Sequence, residues 1–169
     1  EVISSGQENP IVLIGNSMVV PNETENGLKK WKISRRVNLD ANPVFQDHTI
    51  GKNPVLPAVH AMSWMADACE QELPGFMLSS CQNFKVLNGV KFDETLADEY
   101  MLELQEVERK KGSFADIEVK VSSQSGLGSS NEQRPRFHYS TQVRLVQQAP
   151  EAPLHDRIDL SNTHNLPGS

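Results

Sequence analysis

Residues 47 to 67 read DHTIGKNPVLPAVHAMSWMAD, a histidine, a breaker-rich loop and a helix in direct succession. Between His48 and the helix stand Gly51, Asn53, Pro54 and Pro57, and this density of breakers predicts a loop with no regular structure until Pro57. Proline suits the first helical position, where its missing N–H would have no partner and its φ is already helical. From Ala58 the apolar residues Val59, Met62, Met65, Ala66 and Cys69 recur three or four apart, and this spacing predicts an amphipathic helix. His60, Ser63, Asp67 and Glu70 form its polar stripe. Leu73, Pro74 and Gly75 then stop it, since proline cannot continue a helix and glycine serves the turn beyond.

This order delivers His48 next to the positive end of a helix. A neutral imidazole can remove a proton, and N–H groups at a helix start can hold the negative charge left on a neighbouring carbonyl oxygen. Proton abstraction beside a thioester carbonyl is the simplest reaction that needs both.

The run LDANPVFQDHTIGKNPVLPAVHAMSWM, residues 39 to 65, resembles the first half of the double-hotdog dehydratase domains of polyketide synthases and polyunsaturated fatty acid synthases. Those domains carry His-x-x-x-Gly-x-x-x-x-Pro after an aspartate, then a VLPA run entering the long helix. Asp47, His48, Val55, Leu56, Pro57 and Ala58 match in register. The glycine does not: Lys52 occupies its position and Gly51 stands one residue early. FKVLNGVKFD, residues 84 to 93, resembles the strand that follows the helix in the same domains.

The resemblance implies an α+β hotdog, an antiparallel sheet wrapped around a long central helix. It implies elimination of water from a 3-hydroxyacyl thioester carried on the phosphopantetheine arm of an acyl carrier protein, with no metal or other cofactor. His48 would be the base, and Gly51, Lys52 and Pro57 would line the substrate site, the first two through their backbone N–H groups. The acid would be an aspartate from a second hotdog, or from a self-paired copy. In the related stand-alone dehydratases a helix glutamate is the acid; Ser63 stands at that position here, and Asp67, a turn further on, reads as an ordinary solvated residue. Two other functions fit the same fold: a catalytically silent structural hotdog of such a megasynthase, and a hotdog thioesterase using a carboxylate such as Asp67 to direct water.

Composition bounds the rest. With 169 residues the chain is long enough for one domain with its own core. It begins at Glu1 and ends in NLPGS, as a segment cut from a longer polypeptide would, and it contains no apolar run near the ~20 residues of a membrane span. A cytoplasmic location is expected. The net charge of −6 argues against a nucleic-acid partner bound by phosphate neutralisation. The basic cluster Lys29, Lys30, Lys32, Arg35 and Arg36 reads as a solvated strand face, and Cys69 as a buried reduced thiol.

Taken in order, residues 1 to 10 read as a polar lead-in, 11 to 148 as the hotdog domain, and 149 to 169 as a linker towards a second hotdog. Within the domain, 11 to 20 predicts a strand, 21 to 27 a hairpin loop, and 29 to 39 a strand with Trp31, Ile33, Val37 and Leu39 on one face. An extended run at 42 to 46 leads to His48. Beyond the helix, 84 to 92, 99 to 108, 114 to 121 and 136 to 146 predict strands, with a turn at 110 to 113 and a flexible hairpin loop at 122 to 134. Period-two alternation puts Phe137, Tyr139, Val143 and Leu145 on one face of the last strand, and His138 on the solvated one. His155, Asp156, Asp159 and His164 have no diagnostic metal-ligand spacing and read as linker.

Overall fold

The computed structural model describes residues 22–23, 27–124 and 135–151. The predictions for 1 to 20, 125 to 134 and 152 to 169 lie outside those residues.

Strands β1 (Asn22–Glu23), β2 (Lys29–Arg35), β5 (Met77–Val86), β6 (Tyr100–Lys110), β7 (Phe114–Gln124) and β8 (Pro135–Val146) form one antiparallel sheet in the order β1-β2-β6-β7-β8-β5. A 3₁₀ turn, Pro43–Asp47, and a minimal hairpin of β3 (Thr49–Ile50) and β4 (Asn53–Pro54) precede helix α1 (Ala58–Glu72). The helix packs on one face of the sheet, against β5 and β8. Its buried residues share a single apolar cluster with Trp31 and Ile33 of β2, Leu102 and Leu104 of β6, Ile117 and Val119 of β7, and Val143 and Leu145 of β8. This is the α+β arrangement of a sheet and helix that bury each other's apolar faces. Among the described residues no helix is long and apolar enough to cross a membrane.

The helix has nearly the expected bounds and part of the expected face: Met65, Ala66 and Cys69 of the predicted stripe are buried, and the stripe is rotated away from Val59 and Met62. Pro57 has ψ 142°, so it is the extended cap residue and Ala58 is the first helical one; the Ala61 N–H donates to the Pro57 carbonyl at 3.0 Å. Ala61, Trp64, Met65, Ala68 and Cys69 point into the core, whereas Val59 is 63% exposed and Met62 half-buried. The large Trp64 sets the buried stripe, and the small Ala61 and Ala68 let the helix approach the sheet. The helix ends where Leu73 donates to the carbonyls of Cys69 and Glu70, and Gly75 takes φ +87° in the turn that follows. Burial pushes the Cys69 thiol well up from its ordinary pKa, as suits an inert core cysteine.

Several strands differ from their predicted bounds. β5 is one edge of the sheet: most of its side chains are exposed, and it carries two register shifts and the positive-φ residue Asn83. With both faces largely exposed and two register shifts in its length, β5 shows no steady period-two pattern, which is why 77 to 83 read as a connection and 84 to 92 as the strand. Residues 87–92 instead cross to the chain before the helix, where Val55 bridges Lys91. β2 ends at Arg35, and its buried face includes Arg35 itself, 8% exposed. The basic cluster is therefore split: Lys32 and Arg36 pair with Glu103 and Glu99 on the solvent side, and Arg35 turns inward. The predicted loop at 21 to 27 includes β1, paired with Lys29 and Lys30. The predicted extended run at 42 to 46 is the 3₁₀ turn, anchored by the fully buried Phe45.

On β6, Tyr100, Leu102 and Leu104 face the core as their alternation predicts, and so does Glu106, 1% exposed. Its carboxylate accepts the Lys29 N–H at 2.8 Å and lies 2.8 Å from the Arg109 guanidinium, which compensates the buried charge. β7 continues through Ser122, Ser123 and Gln124, residues predicted to open a flexible loop. Opposite them, Val121 pairs with Tyr139 and Ser122 with Phe137, so His138 is the extra residue of a β-bulge. The bulge turns His138 inward, to 5% exposure, against the solvated position that alternation predicts.

Candidate active site

His48 follows the 3₁₀ turn directly, and its backbone is tied at both ends. Its N–H donates to the Phe45 carbonyl at 3.1 Å, and its own carbonyl accepts the Val55 N–H at 2.9 Å. Phe45 is held in turn by edge contact with His60, ring centroids 4.9 Å apart, and by stacking on Phe92 at 5.9 Å. The imidazole itself is exposed. The ring is thus carried on a fixed backbone and open to solvent.

The stretch 49–54, expected to lack regular structure, is the β3–β4 hairpin, with Ile50 paired to Asn53 and a two-residue turn at Gly51 and Lys52. Gly51 has φ +67°, the value a type II′ turn requires at its first central position. That explains the displaced glycine: the left-handed residue is 51, and position 52 carries no positive φ, so a lysine fits there. Nothing lies within 4 Å of a Cβ built on Gly51, so the cost of a side chain is backbone strain alone. Gly51→Ala is expected to lower stability by about 1–2 kcal/mol, measured by urea unfolding.

Of the residues singled out by sequence, the structure therefore puts Gly51 and Lys52 in the turn of one hairpin, His48 immediately before its first strand, and Pro57 beyond its second, where α1 begins. Gly51 and Lys52 are exposed, and Pro57 is buried. Val44, Ile50 and Val59, on the 3₁₀ turn, β3 and the first turn of α1, are apolar side chains 61%, 69% and 63% exposed. Ser63, at the position of the stand-alone enzymes' glutamate, is exposed on α1. Asp67 lies nine residues after the helix start, about 14 Å along the axis at 1.5 Å per residue, too far to share a reacting centre at that end. Its pKa is raised, first by burial and then by Glu70. Among the described residues no group of His, Cys, Asp and Glu side chains is arranged to hold a metal ion.

A second histidine centre lies away from this hairpin. The Nδ1 of His138 is 2.9 Å from the Asn88 carbonyl, so it is the protonated nitrogen. Nε2, 2.8 Å from the Ser123 Oγ, then accepts the hydroxyl proton. The pair is buried; burial lowers the pKa of His138, the bond to Asn88 partly offsets this, and Arg136 adds to the lowering. Because the fold disfavours the imidazolium, the unfolded chain binds this proton more readily. The His138 contribution is present above the ordinary imidazole pKa of about 6.5 and is lost as pH falls below it. The urea midpoint is expected to drop between pH 7.5 and 5.5, and to drop less in His138→Gln.

No family model matches the chain, and no curated protein matches it. Solved structures do. Over 89% of the chain it is similar to the dehydratase domain of a mycocerosic acid synthase-like polyketide synthase, with TM-score 0.52 and 16% identity. Over 90% it is similar to the dehydratase domain from the terminal module of the rifamycin polyketide synthase, with TM-score 0.51 and 13% identity. The chain spans 43% and 48% of the length of those two structures. The fold is thus shared with polyketide synthase dehydratase domains, the group that the His48 to Pro57 motif resembles.

Proposed function

We propose that this chain is the first hotdog of a double-hotdog dehydratase, acting on 3-hydroxyacyl thioesters borne by an acyl carrier protein in polyketide or polyunsaturated fatty acid synthesis, in the cytoplasm. The observation that carries the reading is the exposed His48 imidazole, tied through its backbone beside the exposed Gly51–Lys52 turn and close in the chain to the start of α1.

In this reading His48 removes the C2 proton, and backbone N–H groups of Gly51 and Lys52, with the start of α1, hold the thioester oxygen as charge develops on it. The C3 hydroxyl leaves as water after taking a proton from an aspartate of a second hotdog. The placement of Ser63 and the distance to Asp67 favour an acid from outside the described residues. The sheet edge supports a partner hotdog: β5 is exposed along one side, with Met77, Leu78 and Val86 each more than 40% exposed. The exposed Val44, Ile50 and Val59, on the 3₁₀ turn, β3 and the first turn of α1, would be covered by the same partner or by the acyl chain. The sheet would then wrap α1 as the central helix of this half.

Lys52 at the family's glycine position favours a second reading, a silent hotdog kept for packing. Hydration of a short 2-enoyl thioester on a carrier protein separates the two. The chain joined to a second hotdog that bears the aspartate is expected to be active, and the chain alone at least a hundredfold less so. Silence of the joined, folded protein with short and long acyl chains would favour the structural role.

A further inference from the structure

We infer that His138 is a positioning residue for the His48 hairpin, acting through the connection 87–93; as a statement about catalysis this rests on the dehydratase reading. That connection belongs to no strand or helix, and Leu87, Asn88 and Gly89 are exposed, so hydrogen bonds rather than packing hold its first half.

One side of the connection is bound to β8. The N–H groups of Leu87 and Asn88 both donate to the His138 carbonyl, at 2.9 and 3.2 Å, and the Asn88 amide donates to the Phe137 carbonyl at 2.8 Å. The His138 ring closes the clamp by donating to the Asn88 carbonyl, and Ser123 fixes the ring from β7. Two residues on, the Val90 N–H donates to the Tyr139 hydroxyl at 2.9 Å.

The other side is bound to the exit of the hairpin. The Val90 carbonyl accepts the Leu56 N–H at 3.0 Å, the Phe92 N–H donates to the Pro54 carbonyl at 2.9 Å, and the Asn53 amide donates to Asp93 at 3.0 Å. The Val55 N–H holds the His48 carbonyl. A hydrogen-bonded path therefore runs from the bulge on β8, through the connection, to the backbone of His48. A histidine whose two nitrogens are both satisfied in a bulge fixes that path at its origin.

The test compares Ser123→Ala, Ser123→Thr and His138→Gln by amide hydrogen exchange. In Ser123→Ala and His138→Gln the amides of Val55 and Leu56 are expected to exchange about tenfold faster or more, while those of Leu102, Leu104 and Val119 in the sheet keep their rates. Ser123→Thr, which keeps the hydroxyl, is expected to restore the wild-type rates. In the joined protein Ser123→Ala and His138→Gln, but not Ser123→Thr, are expected to lower kcat with KM within about twofold. Unchanged exchange at Val55 and Leu56 in Ser123→Ala, or a uniform rise across the sheet, would overturn the inference, and Ser123→Ala decides it alone if His138→Gln does not fold. An inactive wild-type joined protein with the expected exchange pattern would sink the dehydratase reading and leave the positioning role standing.

Discussion

His48→Ala is expected to lower turnover of the joined protein by at least about a hundredfold and by as much as about ten-thousandfold, the range that one positioned acid–base group contributes. The loss should fall on kcat, because in the proposed mechanism the ring acts on the proton in flight while backbone groups hold the thioester. Stability should move by no more than about 0.5 kcal/mol: the side chain is exposed, and both of its anchoring bonds are backbone bonds that alanine keeps. Steady-state kinetics and urea unfolding of the same preparation check the two halves together. A parallel loss of stability would mean that His48 is a packing residue.

Trp64→Ala is expected to remove about 3–5 kcal/mol, a large part of the roughly 5–15 kcal/mol that holds an ordinary domain together. Trp64 is 2% exposed and meets Tyr100 of β6 edge-on, ring centroids 6.3 Å apart, so its removal opens a cavity between helix and sheet. Val59→Ala, at an exposed site on the same helix, should change stability by less than about 0.5 kcal/mol. Urea midpoints of the two variants, side by side, decide which stripe of α1 faces the sheet. Equal losses would favour the stripe that apolar spacing alone suggests.

The contrast between these residues marks what periodicity can and cannot resolve. Breakers are local, so Pro57 and Leu73-Pro74-Gly75 bound the helix correctly, and strands with one buried face, such as β6 and β7, announce themselves by alternation. Which face of a mostly apolar helix is buried depends on the sheet it meets, and Val59 is as apolar in sequence as Met65. β5 is hard to read by alternation because it is mostly exposed and broken by two register shifts, and the bulge that buries His138 depends on register with β7. The residues proposed for the site could be picked out together because they are contiguous, His48, Gly51, Lys52 and Pro57 lying within ten residues, but the hairpin among them was not legible, since its breakers read as an irregular loop. Its support was not legible, since Asn88, Ser123 and His138 come from three distant segments joined only in the folded chain.

The central claim is that His48 carries the proton of C2, and hydration of a 2-enoyl thioester by the joined protein in deuterium oxide tests it most directly. The account predicts a 3-hydroxyacyl product with one deuterium at C2, seen by NMR, formed at a rate that collapses in His48→Ala. Deuterated product formed equally fast by His48→Ala would contradict it.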